Sequence, residues 1–220
     1  MSLVPSLTET LAAWGRDPIA CTRFCERADL PHVGGTKDPD VARIVELAPD
    51  LVVVDTEENR REDHDELVRR GIAVHATSIR SLDDVGTQLA VLAEQLDVRW
   101  SKATLGPPRP TRLRAFVPIW RRPWIALGAP TYATSLLAHV GFANVVDDLG
   151  PYPALGLDEA RARDPDVVLA PSEPYPFTAR QLPELESVAP TVFVDGKDLF
   201  WWGTRTPLAL QRMGEALGDL

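Results

Sequence analysis

A strand-and-loop signature occurs twice in this chain, and the repeat narrows the folds open to it. Leu47 to Asn59 reads L-A-P-D-L-V-V-V-D-T-E-E-N, and Arg163 to Phe177 reads R-D-P-D-V-V-L-A-P-S-E-P-Y-P-F. Pro49, Asp50 and Glu57 precede Pro165, Asp166 and Glu173 by a constant 116 positions. In each copy Pro-Asp leads into a short β-branched apolar run, the signal of a parallel strand covered on both faces. Each run then leaves in a loop that carries a carboxylate, at the strand end where open α/β sheets bind ligands. Leu11-Ala12 to Gly15 also returns 126 positions later as Leu137-Ala138 to Gly141, so the first helix is repeated too. Two similar α/β lobes facing each other are the expected fold.

Composition excludes several classes. A formal net charge of −9 disfavours nucleic acid, which calls for clustered Lys and Arg. No apolar run approaches the roughly 20 residues of a membrane span. Cys21 and Cys25 lack the second pair a zinc site needs, and read as small buried side chains. No signal-peptide pattern precedes the strand-like Ser2–Val4, so the chain as written is expected in the cytoplasm, or outside it if a leader has been removed.

The order of elements sharpens the expectation. Ser6 and Glu9 have the spacing of a capping box, with a helix running on to Gly15. Asp40 to Leu47 has helical spacing, Leu51 to Val54 is a central strand, Arg60 to Arg70 a charged helix and Ile72 to His75 a strand. From Ser81 to about Leu105, Leu82, Val85, Leu89, Leu92 and Leu96 recur at helical spacing, ahead of Gly106-Pro107-Pro108. That stretch reads as one stiff connecting helix. The expected division is therefore a lobe over 1–80, the connector with its Pro-rich turn over 81–110, and a second lobe over 111–220. In the second lobe, strands are expected at Arg114–Ile119, Trp124–Leu127, Asn144–Val146, Val167–Leu169 and Thr191–Val194. Helices are expected at Thr131–Val140, Leu157–Arg163 and Thr206–Leu217. This β-α alternation predicts two Rossmann-like, mainly parallel lobes.

Catalytic signatures are missing: G-x-S-x-G, H-E-x-x-H and G-x-G-x-x-G do not occur, and the four histidines are scattered. Aromatic loops are the richer signal. Trp120, Tyr152, Tyr175, Phe177 and Trp202 lie in the second half near predicted strand ends, where large rings can line an apolar pocket.

Five stretches carry a family resemblance: Ser2-Leu3-Val4-Pro5-Ser6-Leu7-Thr8-Glu9-Thr10, Val33-Gly34-Gly35-Thr36-Lys37, Glu57-Glu58-Asn59-Arg60, Ser172-Glu173-Pro174-Tyr175-Pro176-Phe177 and Trp201-Trp202-Gly203-Thr204-Arg205. In this order they resemble the helical-backbone metal receptors, the ABC-transporter substrate-binding proteins for cobalamin, haem and iron siderophores. The resemblance implies two α/β lobes joined by one long rigid helix, a chelate held in the cleft between them, and import rather than catalysis. It implies a corrinoid or similar metal chelate as ligand, with haem and ferric siderophores as alternatives, no covalent cofactor and no direct metal ligand. A cytosolic enzyme or carrier reusing the fold is the rival reading. The aromatic residues, with Glu173, would face the ligand. Pro5, Ser6, Leu7, Thr8, Gly35, Thr36, Glu58, Asn59 and Arg205 would meet its remaining surface. Glu58 or Glu62 would present a docking carboxylate to a permease, whereas Gly203 stands where the second lobe's docking carboxylate is expected. A monomer is expected.

Overall fold

The computed structural model describes residues 1–218 and 220. Its backbone divides into two compact units. The first holds Met1–Ile79, Asp83–Ala103 and Trp202–Thr204; the second holds Arg80–Leu82, Thr104–Trp201 and Arg205–Leu220.

The first unit carries α1 (Pro5–Ala13), α2 (Val41–Glu46), β1 (Val52–Asp55), α3 (Arg61–Arg69), β2 (Val74–Thr77) and, from Asp83 onward, α4 (Leu82–Gln95). β1 and β2 pair in parallel, with Val52 opposite Val74 and Asp55 opposite Thr77. The strand expected at Ser2–Val4 reduces to a single parallel bridge from Ser2 to Val53. All four β1 residues are buried, as a β-branched run covered on both faces demands. Leu3, Val33, Ile44, Val52, Val54 and Leu67 pack with them into one core. Each such side chain contributes about 1.5–3 kcal/mol by leaving water.

α4 ends at Gln95, well short of Leu105. The stop is a Schellman motif: the Val98 N–H donates to the Ala93 carbonyl (2.8 Å) and the Asp97 N–H to the Glu94 carbonyl (3.1 Å). Asp97 occupies the left-handed position, at φ 50°, that glycine usually fills. The same pair of bonds closes α1 at Gly15 and α3 at Gly71, where glycine announces the stop. The apolar spacing beyond Leu92 continues past a helix that has already been capped.

The second unit contains β3 (Leu113–Phe116), β4 (Pro118–Trp120), β5 (Ile125–Ala126), α5 (Tyr132–His139), β6 (Phe142–Asn144), α6 (Leu157–Ala162), β7 (Val167–Pro171), α7 (Leu182–Leu185), β8 (Thr191–Val194), α8 (Gly196–Phe200) and α9 (Thr206–Ala216). Its main sheet has the order β6-β3-β7-β8, and every pairing in it is parallel. β7 lies inside the sheet with all five residues buried. It begins within one residue of the place that the 116-position offset assigns from β1. β4 and β5 form a separate antiparallel pair. The short helices α7 and α8 have too few residues to show an apolar period, so nothing in the sequence pattern announces them.

Candidate functional site

At the carboxyl end of β1, several loops of the first unit converge. α1 starts at Pro5, one residue before the expected Ser6 cap, because the fixed φ of proline suits the first helical position. Ser6 is therefore inside the helix, and Val4 occupies the cap without a side-chain hydrogen bond. Ser6, Leu7 and Thr8 are all buried. The Thr8 hydroxyl donates to the Val4 carbonyl (3.1 Å) and lies 3.2 Å from the Cys25 sulfur. Of these four candidates, only Pro5 retains appreciable exposure.

Asn59 joins three of the segments. Its Oδ1 accepts from the Asp55 N–H (2.9 Å), and its Nδ2 donates to the carbonyls of Thr36 (3.0 Å) and Leu3 (3.2 Å). With the residue buried and its amide so engaged, Asn59 builds the site rather than reaching a ligand rim. Asp55, almost wholly buried, accepts from the Glu57 N–H (2.9 Å) and the Thr77 hydroxyl (2.8 Å). Burial nonetheless pushes its carboxyl above the usual range. Lys37 ties the Gly35-Thr36 loop to the Glu57 carbonyl (2.5 Å). Gly35 is buried and Thr36 half-buried.

Glu58 and Glu62 are exposed, as docking side chains must be. Gly203, by contrast, has φ 133° and is buried against the Thr10 hydroxyl, so any side chain there would collide. The Thr204 N–H donates to that same hydroxyl (3.3 Å). Local packing thus excludes a carboxylate at this position. Trp202, only 5% exposed, is buried as well.

The carboxyl end of the second unit's sheet is aromatic. Trp120, at the end of β4, and Tyr152 are 44% and 46% exposed. The Tyr152 segment is held beside β5 by bonds from Ala126 N–H to the Pro153 carbonyl (2.9 Å) and from Gly128 N–H to the Pro151 carbonyl (2.8 Å). Trp120 meets Tyr175 edge-on at 5.8 Å, and Tyr175 meets Phe177 at 4.7 Å. Phe177 in turn stacks on Trp124 at 6.0 Å, with an interplanar angle of 4°. A continuous line of rings therefore runs from the core to an exposed edge. Phe177 is its buried end, packed with Phe116, Val168 and Leu185. It supports the aromatic wall from behind and is not part of the wall's open face.

Glu173, half-buried beyond β7, has its carboxyl pushed up by burial, against the opposing effects of a hydrogen bond from Trp201 and the charge of Lys197. Arg205 is committed to Asp198 (3.0 Å), which is 3% exposed and also takes Arg212 (3.3 Å). Among the described residues no group of three His, Cys, Asp or Glu could hold a metal ion. No helix among them is long and apolar enough to cross a membrane.

No family model matches the chain. It is 24% identical over 194 residues to the vitamin B12-binding protein of Vibrio campbellii, covering 77% of this chain and 69% of that one. Its fold matches the periplasmic haem-binding protein BhuT, solved with two haems, at a TM-score of 0.81 and 22% identity, over 99% of this chain and 97% of that one. It matches the periplasmic vitamin B12-binding protein BtuF of Vibrio cholerae at a TM-score of 0.76 and 16% identity, over 99% and 95%. These likenesses show that the chain shares the fold of the periplasmic haem- and vitamin B12-binding proteins, and its five motifs in order resemble the helical-backbone metal receptors.

Proposed function

We propose that the chain is a substrate-binding protein of the ABC-transporter type, whose ligand is a corrinoid or a similar metal chelate such as haem. The observation that carries the reading is the aromatic line ending in Trp120 and Tyr175, anchored in the core yet open at its outer edge. Rings fixed by packing can take up an apolar macrocycle with little loss of side-chain entropy. The relatives' names point to the same ligand class. Polar loops around Pro5, Gly35, Thr36 and Glu58 are the first unit's candidates for the ligand's rim. The role is binding, without turnover. Its partner would be an ABC permease, with Glu58 and Glu62 as candidate docking carboxylates, and its place of action would be outside the cytoplasmic membrane.

Corrins and haems absorb tryptophan emission, and the chain has six tryptophans. Titration with cyanocobalamin or haemin is expected to quench that emission saturably, with one of the two bound more tightly. Linear, non-saturating loss of signal with both, and with ferric siderophores, would overturn the proposal.

A further inference from the structure

We infer that Trp201, rather than Trp202, is the indole with which the second unit meets its ligand, and that Glu173 positions it. This rests on the chelate-binding reading above. Trp202 is nearly sealed from solvent, whereas Trp201 is half-buried at the end of α8. Its backbone N–H is fixed to the Lys197 carbonyl (2.9 Å).

The ring is held from several sides. Its indole meets the Glu173 carboxyl, on the loop after β7, and opposes the rise that burial gives that group. The Lys197 ammonium lies 5.2 Å from the ring centroid, and the Arg205 guanidinium carbon 5.4 Å. Arg205 is itself anchored by the buried Asp198 (3.0 Å). At the start of α8 the Gly196 N–H donates to the Ser172 hydroxyl (2.9 Å). A Cβ at Gly196 would come within 2.6 Å of the Glu173 nitrogen and 2.9 Å of its carbonyl oxygen, so only glycine lets α8 approach this loop. The loops after β7 and β8 are thereby locked together with Trp201 as the pin.

The half-buried indole leaves part of its ring open to a visitor, beside the Lys197 and Arg205 cations. That open part suits the flat apolar face of a macrocycle. Glu173 acts through the ring and is a positioning residue.

The test measures affinity for cyanocobalamin and for haemin, and thermal midpoints, in the Trp201→Ala, Trp201→Phe, Glu173→Ala and Glu173→Gln proteins. Trp201→Ala is expected to weaken binding about 30-fold, about 2 kcal/mol, with a small change in midpoint. Trp201→Phe, which keeps a ring and loses the N–H, should fall between, and it carries the test if the alanine protein does not fold. Glu173→Ala should weaken binding several-fold, and Glu173→Gln, which retains an acceptor oxygen, should restore most of it. Unchanged affinity in both Trp201 proteins, alongside a loss in Trp120→Ala, would overturn this inference and leave the chelate reading standing. Equal losses in Glu173→Ala and Glu173→Gln would overturn the positioning role alone. A wild-type protein that binds neither probe would end both.

Discussion

Replacing Phe177 with alanine is expected to destabilise the chain by about 3–5 kcal/mol, the cost of emptying a buried aromatic site. The residue is 4% exposed, stacks on Trp124 at 6.0 Å and touches Tyr175 at 4.7 Å. Around it pack Phe116 of β3, Val168 and Ala170 of the central strand β7, and Leu185 of α7. Its backbone is fixed too, the N–H donating to the Tyr175 carbonyl (2.9 Å). Such a site cannot collapse without moving the sheet, so the residual cavity adds to the lost transfer energy. Urea unfolding monitored by circular dichroism measures the effect. A loss below about 1 kcal/mol, with ligand affinity abolished, would instead return Phe177 to the ligand wall.

Asn59→Ala is expected to cost about 3 kcal/mol, because one truncation orphans three backbone groups. These are the Asp55 N–H and the carbonyls of Leu3 and Thr36, from three segments that meet at the end of β1. Each unpaired buried group costs about 1–3 kcal/mol, less where water can enter. Asn59→Asp should not rescue the loss, since it keeps the acceptor for Asp55 but removes both donors. It would also set a second carboxylate beside the buried Asp55, whose own charge burial already disfavours. The same unfolding measurement decides. Native stability with weakened ligand binding would mean that the amide faces the ligand after all.

Much of the fold is legible in the sequence, for reasons that differ by residue. β1 and β7 announce themselves because a β-branched run entered by Pro-Asp has few other uses, and the constant offset doubles the signal. α1 and α3 end where Gly15 and Gly71 promise. The end of α4 is hidden because Asp97, not glycine, takes the left-handed position, and apolar periodicity continues beyond it. Site residues are harder. A motif shows which stretch lies at a strand end, but not which way a side chain turns, and one position separates the half-buried Trp201 from the buried Trp202. Likewise Tyr175 and Phe177 alternate between the open and the packed side of one loop. Asn59 and Arg205 resemble ligand-facing residues because polar side chains in loops usually are. Their partners are not announced: the Leu3 and Thr36 carbonyls are distant in sequence, and Asp198 sits in the short helix α8, which no apolar period predicts.

The central claim is that the exposed rings at the carboxyl end of the second unit's sheet take a metal chelate. Equilibrium binding of cyanocobalamin and haemin to the Trp120→Ala, Tyr152→Ala double variant tests it most directly, since both side chains are nearly half exposed. Removing them should leave the unfolding free energy within about 1 kcal/mol of wild type. The chelate that binds the wild-type protein is predicted to bind the double variant about 100-fold more weakly, because roughly 100 Å² of apolar surface would stay in water at about 25 cal/mol per Å². Affinity within about twofold of wild type, in a variant that is folded, would contradict the account.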